Sequence, residues 1–411
     1  MITEPLAPGG APSATSAAPL PPAPRRVLMT ADPIGGVWTY MLELARGLLA
    51  SSVEVVVASL GGPISPAQRA AFGRLGPRAV LHEDHRRLEW MDDPWNDVAA
   101  TGDWLLDLEA RHRPDLVHLN GYAHAALPWR APVLVAAHSC VYSWWRAVHR
   151  CYPPPVWHRY HEAVARGLRA ARLVVAPTHA MLSALVAHYG ELPSARVIPN
   201  GRSPLPSPGL LRENVILGVG RLWDEAKNLR ALADVAPSLP YPWTVRLAGS
   251  ERSPSGETVS PPGVELLGHL PDHSLGGHFD RATIYALPAR YEPFGLSVLE
   301  AAHAGCALVL GDIRSLRENW DGAAIFVEPD DRVALRAAIV ELISRPSLRR
   351  RLVAEAKSRA AAFTPGRMSA AYLDAYSRIL RPEPAAERRP SARPEFSPSP
   401  ASLAVPQPAL A

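Results

Sequence analysis

Hydrophobic positions along the chain follow two rhythms. Short apolar runs at 27–30, 53–59, 116–119, 133–137, 173–176 and 197–198 read as strands. Between them, residues 35–50, 95–111, 155–171 and 179–189 carry the 3.6-residue spacing of helices. The alternation then restarts. Runs at 215–219, 244–248, 264–267, 283–287, 307–310 and 324–327 predict strands, and 228–235, 294–304 and 332–343 predict helices. Near-continuous apolar strands separated by helices imply a parallel sheet buried on both faces. Two such series predict two α/β domains, with a Pro-rich linker at 201–209 between them.

Chain length supports the same division, since 411 residues exceed one ordinary core. The expected organisation is a disordered tail over 1–24, a first domain over 25–205, and a second over 210–365. A helix at 366–380, with Tyr372, Leu373, Tyr376 and Leu380 at helical spacing, is expected to cross back to the first domain. The Pro-rich tail at 381–411 is expected to be disordered, like the first. Parallel sheets bind ligands outside the carboxyl ends of their strands, so two facing sheets predict a central cleft.

A net charge of +4 is mild for this length, and no nucleic-acid motif is present. Neither a membrane-length apolar run nor a secretory leader pattern stands in the sequence. Cys140, Cys151 and Cys306 have no metal-ligand spacing and read as reduced buried or half-buried thiols. A cytoplasmic location is expected on these grounds. One region is distinctly basic. Residues 141–172 carry six arginines against Glu162, with Trp144, Trp145 and Trp157 interleaved. This segment is a candidate for peripheral contact with an anionic lipid face at the inner membrane. The alternative is a solvated helix face with its aromatic residues packed inward.

The chemistry concentrates between 291 and 301, Tyr-Glu-Pro-Phe-Gly-Leu-Ser-Val-Leu-Glu-Ala. Glu292 precedes a helix and Glu300 lies within it, an isolated carboxylate among Leu, Val and Ala. Eight residues at helical rise span roughly 12 Å, close to the reach from ribose to sugar in a nucleotide-diphosphate sugar. The helix N-terminus between them offers unpaired N–H groups to a diphosphate. Upstream, Arg221 and Lys227 lie just beyond a strand end, where two cations suit a departing diphosphate. Gly35 and Gly36 follow the first strand and permit positive φ or close backbone approach. They form no Gly-x-Gly-x-x-Gly fingerprint, so a nicotinamide cofactor is disfavoured. His138 ends the strand at 133–137, and Asn120, Tyr122 and His124 follow another; His118 reads as structural.

Glu292 and Glu300 resemble the Glu-x7-Glu signature of retaining glycosyltransferases of the GT-B fold, family four. Gly220-Arg221-Leu222 with Lys227-Asn228 resembles that family's diphosphate-binding pattern, and the likeness runs from about 26 to 380. It implies an α/β GT-B fold with two Rossmann-like domains whose parallel sheets face a central cleft. It further implies a hexosyltransferase-type enzyme that needs no metal, in keeping with the absence of an Asp-x-Asp motif, and no cofactor beyond its nucleotide-sugar co-substrate. Under the resemblance, His138 and Glu292 contact the donor sugar. Arg221 and Lys227 stabilise the leaving diphosphate with the amides of Phe294, Gly295 and Leu296, and Glu300 grips the ribose. Gly35 and Gly36 face the donor phosphates. Asn120, Tyr122 and His124 shape the pocket of a sugar, lipid-linked or small-molecule acceptor. His303 and Cys306 depart from the family's usual helix end. The rival readings are a nucleotide-sugar epimerase on the same fold and a binding module with a decayed active centre.

Overall fold

A computed structural model describes residues 23–381, apart from 193 and 254–255. The tails expected to be disordered lie, except for their innermost residues, outside the described residues. The first series of elements is β1 (Arg26–Ala31), α1 (Gly36–Ala50), β2 (Glu54–Leu60), α2 (Pro66–Gly73), β3 (Ala79–Asp84), α3 (Trp95–His112), β4 (Leu116–Leu119), β5 (Val133–Ala136), α4 (Val141–His149), α5 (His158–Ala170), β6 (Leu173–Ala176), α6 (His179–Tyr189) and β7 (Ala195–Val197). The second series is β8 (Glu213–Val219), α7 (Arg230–Val235), β9 (Thr244–Ala248), β10 (Glu265–Leu266), α8 (Asp272–Arg281), β11 (Ala282–Leu287), α9 (Leu296–Ala304), β12 (Ala307–Gly311), α10 (Arg314–Trp320) and β13 (Ala324–Val327). Helices α11 (Arg332–Ser344), α12 (Pro346–Ala360) and α13 (Pro365–Ile379) close the chain.

Two parallel sheets result. The first is seven-stranded, ordered β3-β2-β1-β4-β5-β6-β7, and the second six-stranded, ordered β10-β9-β8-β11-β12-β13. In each, the chain direction across the sheet reverses once, between β1 and β4 and between β8 and β11. Crevices open at such switch points, outside the carboxyl ends of the strands. This places the residues after β1, β4, β5, β8 and β11 around one cleft. Two Rossmann-like domains therefore present their strand ends to each other.

Helix α13 belongs to the first domain's core although it ends the chain. Met368, Tyr372, Tyr376 and Ile379 are buried with Val27, Met29, Met41 and Leu44. Gly47 on α1 permits the approach, because a Cβ there would lie 2.3 Å from the Ser369 Cβ. His118, fully buried on β4, stitches the layers with bonds to the hydroxyls of Tyr40 (3.2 Å) and Tyr376 (2.6 Å). Burial drives its imidazole down to about 3, so it stays neutral.

Some elements depart from the sequence expectation. Residues 155–157 form a separate 3-10 turn ahead of α5. Helix α2 has a capping box at Ser65 and Gln68 but buries only Phe72, too little to leave an apolar stripe. Strand β3 is an edge strand whose second half is the polar run His82, Glu83 and Asp84. Helix α8 carries Gly276, where a Cβ would fall 2.0 Å from the Pro206 carbonyl, so low helix propensity makes room for the linker. In the basic 141–172 segment, Trp144, Trp145 and Trp157 are buried. The rings that a membrane would take up are thus part of the first domain's core. Arg150 pairs with Glu328 and Asp330 of the second domain. Among the described residues no helix is long and apolar enough to cross a membrane. Cys140 and Cys306 are buried, but Cys151 is exposed.

Candidate active site

The loop from β11 to α9 is fixed before it meets any ligand. Ser315 donates to the Glu292 carbonyl (2.5 Å), Asn319 to the Phe294 carbonyl (3.2 Å), and Thr178 of the first domain to the Pro293 carbonyl (2.9 Å). Gly295 caps α9 with φ +91°, a conformation that favours glycine. The Glu292 carboxylate folds back over this helix start. Its Oε1 accepts the amides of Gly295 (3.0 Å) and Phe294 (3.4 Å), and its Oε2 accepts Lys227 Nζ (2.8 Å). The sequence expectation gave those amides to a diphosphate; here they hold the protein's own carboxylate. Leu296 faces Gly36, where a Cβ would stand 3.2 Å from the leucine Cδ1. Neither Gly35 nor Gly36 has positive φ. Close approach to the Leu296 side chain, and not turn geometry, is the constraint on residue 36.

Arg221 follows β8. It donates to Asp224 (2.6 Å) and lies over the Trp223 ring, 5.2 Å from its centroid. Its Nε and Nη1 are buried and have no hydrogen-bond partner. Buried guanidinium N–H groups without an acceptor are costly, and a diphosphate would satisfy them. Asp224 also accepts the Trp144 indole N–H (3.2 Å), which carries the contact across the cleft. Asn228 has φ +53° and donates to the carbonyls of Pro288 and Pro329, so the cation next to it projects from a rigid turn.

Glu300 is 8% exposed and its partner is a residue the sequence reading passed over. Arg202, in the linker, donates Nε to Glu300 Oε1 (2.8 Å), Nη1 to Glu43 on α1 (2.9 Å) and Nη2 to Asp272 on α8 (2.7 Å). Burial pushes the Glu300 carboxyl up, and Arg202 pulls it part of the way back. The available signal was the isolated charge in an apolar helix, which required a buried counter-charge somewhere in the chain.

Opposite, His138 donates Nε2–H to Asn120 Oδ1 (2.9 Å), and Asn120 is bound through its side-chain and backbone N–H groups to Thr30 (2.5 and 2.8 Å). Burial lowers His138 to about 4, so it is neutral and its Nδ1 is left as an acceptor. Tyr122 donates to the Ser139 carbonyl (2.6 Å). His124 bonds the Val98 carbonyl (2.9 Å), an anchoring role. Asp32, also unforeseen, sits just past β1 and is 7% exposed. Burial pushes it up to about 6 against the pull of the Ile34 amide and the Arg221 charge. An open pocket of ≈ 710 Å³ joins Asp32, Glu89, Trp90, Asn120, His138 and Tyr160, and Tyr122 and His124 also line it. The sequence-selected residues His138, Asn120, Tyr122 and His124 of the first domain thus line one pocket, whereas Gly35 and Gly36 are not in its lining and Gly36 meets Leu296 instead. Those of the second converge on the α9 start and Arg221 across the cleft.

Residues 34–204 match the Glycosyltransferase Family 4 model and residues 213–345 the Glycosyl transferases group 1 model. A D-inositol 3-phosphate glycosyltransferase of Kineococcus radiotolerans is 27% identical over 411 residues, covering 86% of this chain and 92% of that one. A glycogen synthase of Mycobacterium tuberculosis is 26% identical over 367 residues, covering 79% and 86%. The solved structure of HepE of Anabaena in complex with UDP-glucose superposes with a TM-score of 0.69 at 16% identity, covering 86% of this chain and 99% of that one. With both halves matched in order and the fold shared, the chain belongs to the group 1 glycosyltransferases of the GT-B fold.

Proposed function

We propose that this glycosyltransferase is a retaining enzyme that moves a hexose from a nucleotide-diphosphate sugar to a hydroxyl of an acceptor held in the first-domain pocket. The observation that carries the proposal is Arg221, with two buried guanidinium nitrogens lacking an acceptor beside Lys227 and the start of α9. In this reading Arg221 and Lys227 take the diphosphate and stabilise the charge that develops as the sugar–phosphate bond breaks. Displaced from Lys227 and the α9 amides, Glu292 turns to the sugar hydroxyls. Glu300, steadied by Arg202, accepts from the ribose hydroxyls through Oε2. The His138 Nδ1 faces the sugar. The acceptor oxygen attacks the anomeric carbon on the face the phosphate leaves, and its proton passes to the departing phosphate oxygen. That the HepE structure contains UDP-glucose supports a nucleotide-sugar donor.

The test is a melting-temperature screen of nucleotide-diphosphate sugars against wild type and Arg221→Ala. A bound donor must raise the melting temperature of the folded state. The donor found is then offered to an acceptor panel, and product anomeric configuration is read by NMR. An α-linked product from an α-donor is expected. A β-linked product would refute retention, and equal donor shifts in wild type and Arg221→Ala would refute the role of Arg221.

A further inference from the structure

The pocket also restricts the acceptor, given the reading of it as the acceptor site. No lysine or arginine lines it, whereas Asp32 and Glu89 do, and both are at most 8% exposed. Among the described residues Asp32 has no cation within ion-pair distance. Its nearby charge is Arg221, which is already bonded to Asp224 and stands at the diphosphate end. Glu89 spends its oxygens on the amides of Tyr122 (3.0 Å) and Ala123 (2.7 Å), so it stays anchored at the wall. Neutral His138 supplies no positive charge. The rest of the lining is uncharged: Thr30, Asn120 and Ser139 are polar, and Val37, Leu60, Leu88, Trp90 and Tyr160 supply an apolar and aromatic wall.

We infer that the acceptor is a polyol that is uncharged or carries an amine, with an apolar face, and that phosphorylated acceptors are rejected. A phosphate here would lose its water beside two fixed carboxylates, with no lysine or arginine in the lining to pair with it. An amine would gain from Asp32, and the C–H face of a ring would pack on Trp90 and Tyr160. This chemistry separates the chain from its relatives named for D-inositol 3-phosphate.

The test uses the full chain with the donor found by melting shift. Release of nucleoside diphosphate is measured with matched pairs: myo-inositol and myo-inositol 3-phosphate, glucosamine and glucosamine 6-phosphate, phenyl β-glucoside and its 6-phosphate. At least one unphosphorylated member should be glycosylated, with kcat/KM at least tenfold above its phosphorylated partner. Asp32→Asn should cut that ratio at least threefold while the donor still raises its melting temperature. A phosphorylated member used as well as its partner overturns the inference, as does inertness of every unphosphorylated member with donor bound. An unchanged ratio in folded Asp32→Asn overturns the part assigned to Asp32. If that variant does not fold, the wild-type ratios decide. Absence of any donor shift would instead sink the donor reading above, which keeps the two failures distinct.

Discussion

Replacing Arg202 with methionine tests whether the linker holds the donor end of the cleft together. The side chains of Arg202, Glu43 and Glu300 are 5%, 2% and 9% exposed, so the change strands buried carboxylates instead of trimming a surface pair. Glu43 keeps Arg46 at 3.3 Å and the Ser203 hydroxyl at 3.1 Å; among the described residues Glu300 keeps no cation. Breaking a buried pair from one side costs about 3–5 kcal/mol. For a domain of this size that is roughly 6–20 °C in melting temperature. The pH dependence identifies the cause. Burial already holds Glu300 above the ordinary carboxylate range, and loss of Arg202 raises it further. A carboxyl raised in the folded state contributes stability below its unfolded pKa and loses it as pH rises through the folded pKa. The deficit measured by calorimetry should therefore be larger at pH 8 than at pH 5. Arg202→Lys, which keeps a charge but not the three-way fork, should recover part of it. A variant melting within 1 °C of wild type at both pH values would refute the assignment.

Lys227→Ala should lower kcat by roughly 10²–10³ at saturating donor, the usual loss for one electrostatic stabiliser of a leaving group, and near-wild-type turnover would remove Lys227 from that role. Asp32 is raised to about 6, so it destabilises the fold above that pH and is harmless below its ordinary range. Asp32→Asn should thus be more stable than wild type at pH 8, by up to about 3 kcal/mol, and no different at about pH 3, below the ordinary carboxylate pKa; matching denaturation curves at pH 8 would contradict the burial of an unpaired charge. Gly47→Val would push a side chain into Ser369, costing about 1–3 kcal/mol and loosening α13. Limited proteolysis should cut within α13 in this variant before wild type is cut, and Ser369→Gly should restore resistance.

The fold was legible where burial is two-sided. Apolar runs such as those in β1, β2, β5 and β12 cannot be loops, and their alternation with helices leaves few arrangements other than parallel sheets. Elements with one weak face escaped: β3 on its edge, α2 with one buried residue, and α8 with its two glycines. At the site, Glu292, Glu300, Arg221 and Lys227 stood out because their spacing is local. Arg202 and Asp32 did not. Arg202 meets Glu300 across 98 residues and lies in a Pro-rich stretch that reads as a spacer. Asp32 precedes a proline and reads as a turn former, a role it does play toward Ile34. Only the depth of the β1 end in the cleft turns it into a buried charge.

The donor end is a set of charges already paired with one another: Lys227 with Glu292, Arg221 with Asp224, Arg202 with Glu300. A diphosphate cannot simply be added to it. Lys227 and the two α9 amides are held by a single carboxylate, so a phosphate that takes all three frees Glu292 in one step. Glu292 sits at the foot of α9, and under the proposed function its new partners are donors on the sugar. Phosphate capture and sugar recognition are then one exchange of partners, in which Lys227 keeps an anionic partner and Glu292 trades its cation for neutral hydroxyls. It follows that a free nucleoside diphosphate, which displaces Glu292 without offering it sugar hydroxyls, should bind less tightly than the sugar nucleotide. Glu292→Gln, which weakens the competing bond to Lys227, should narrow that gap. Isothermal titration of both ligands against both proteins measures it directly. A nucleoside diphosphate that binds wild type more tightly than its sugar conjugate does would show that Glu292 is not exchanged in this way.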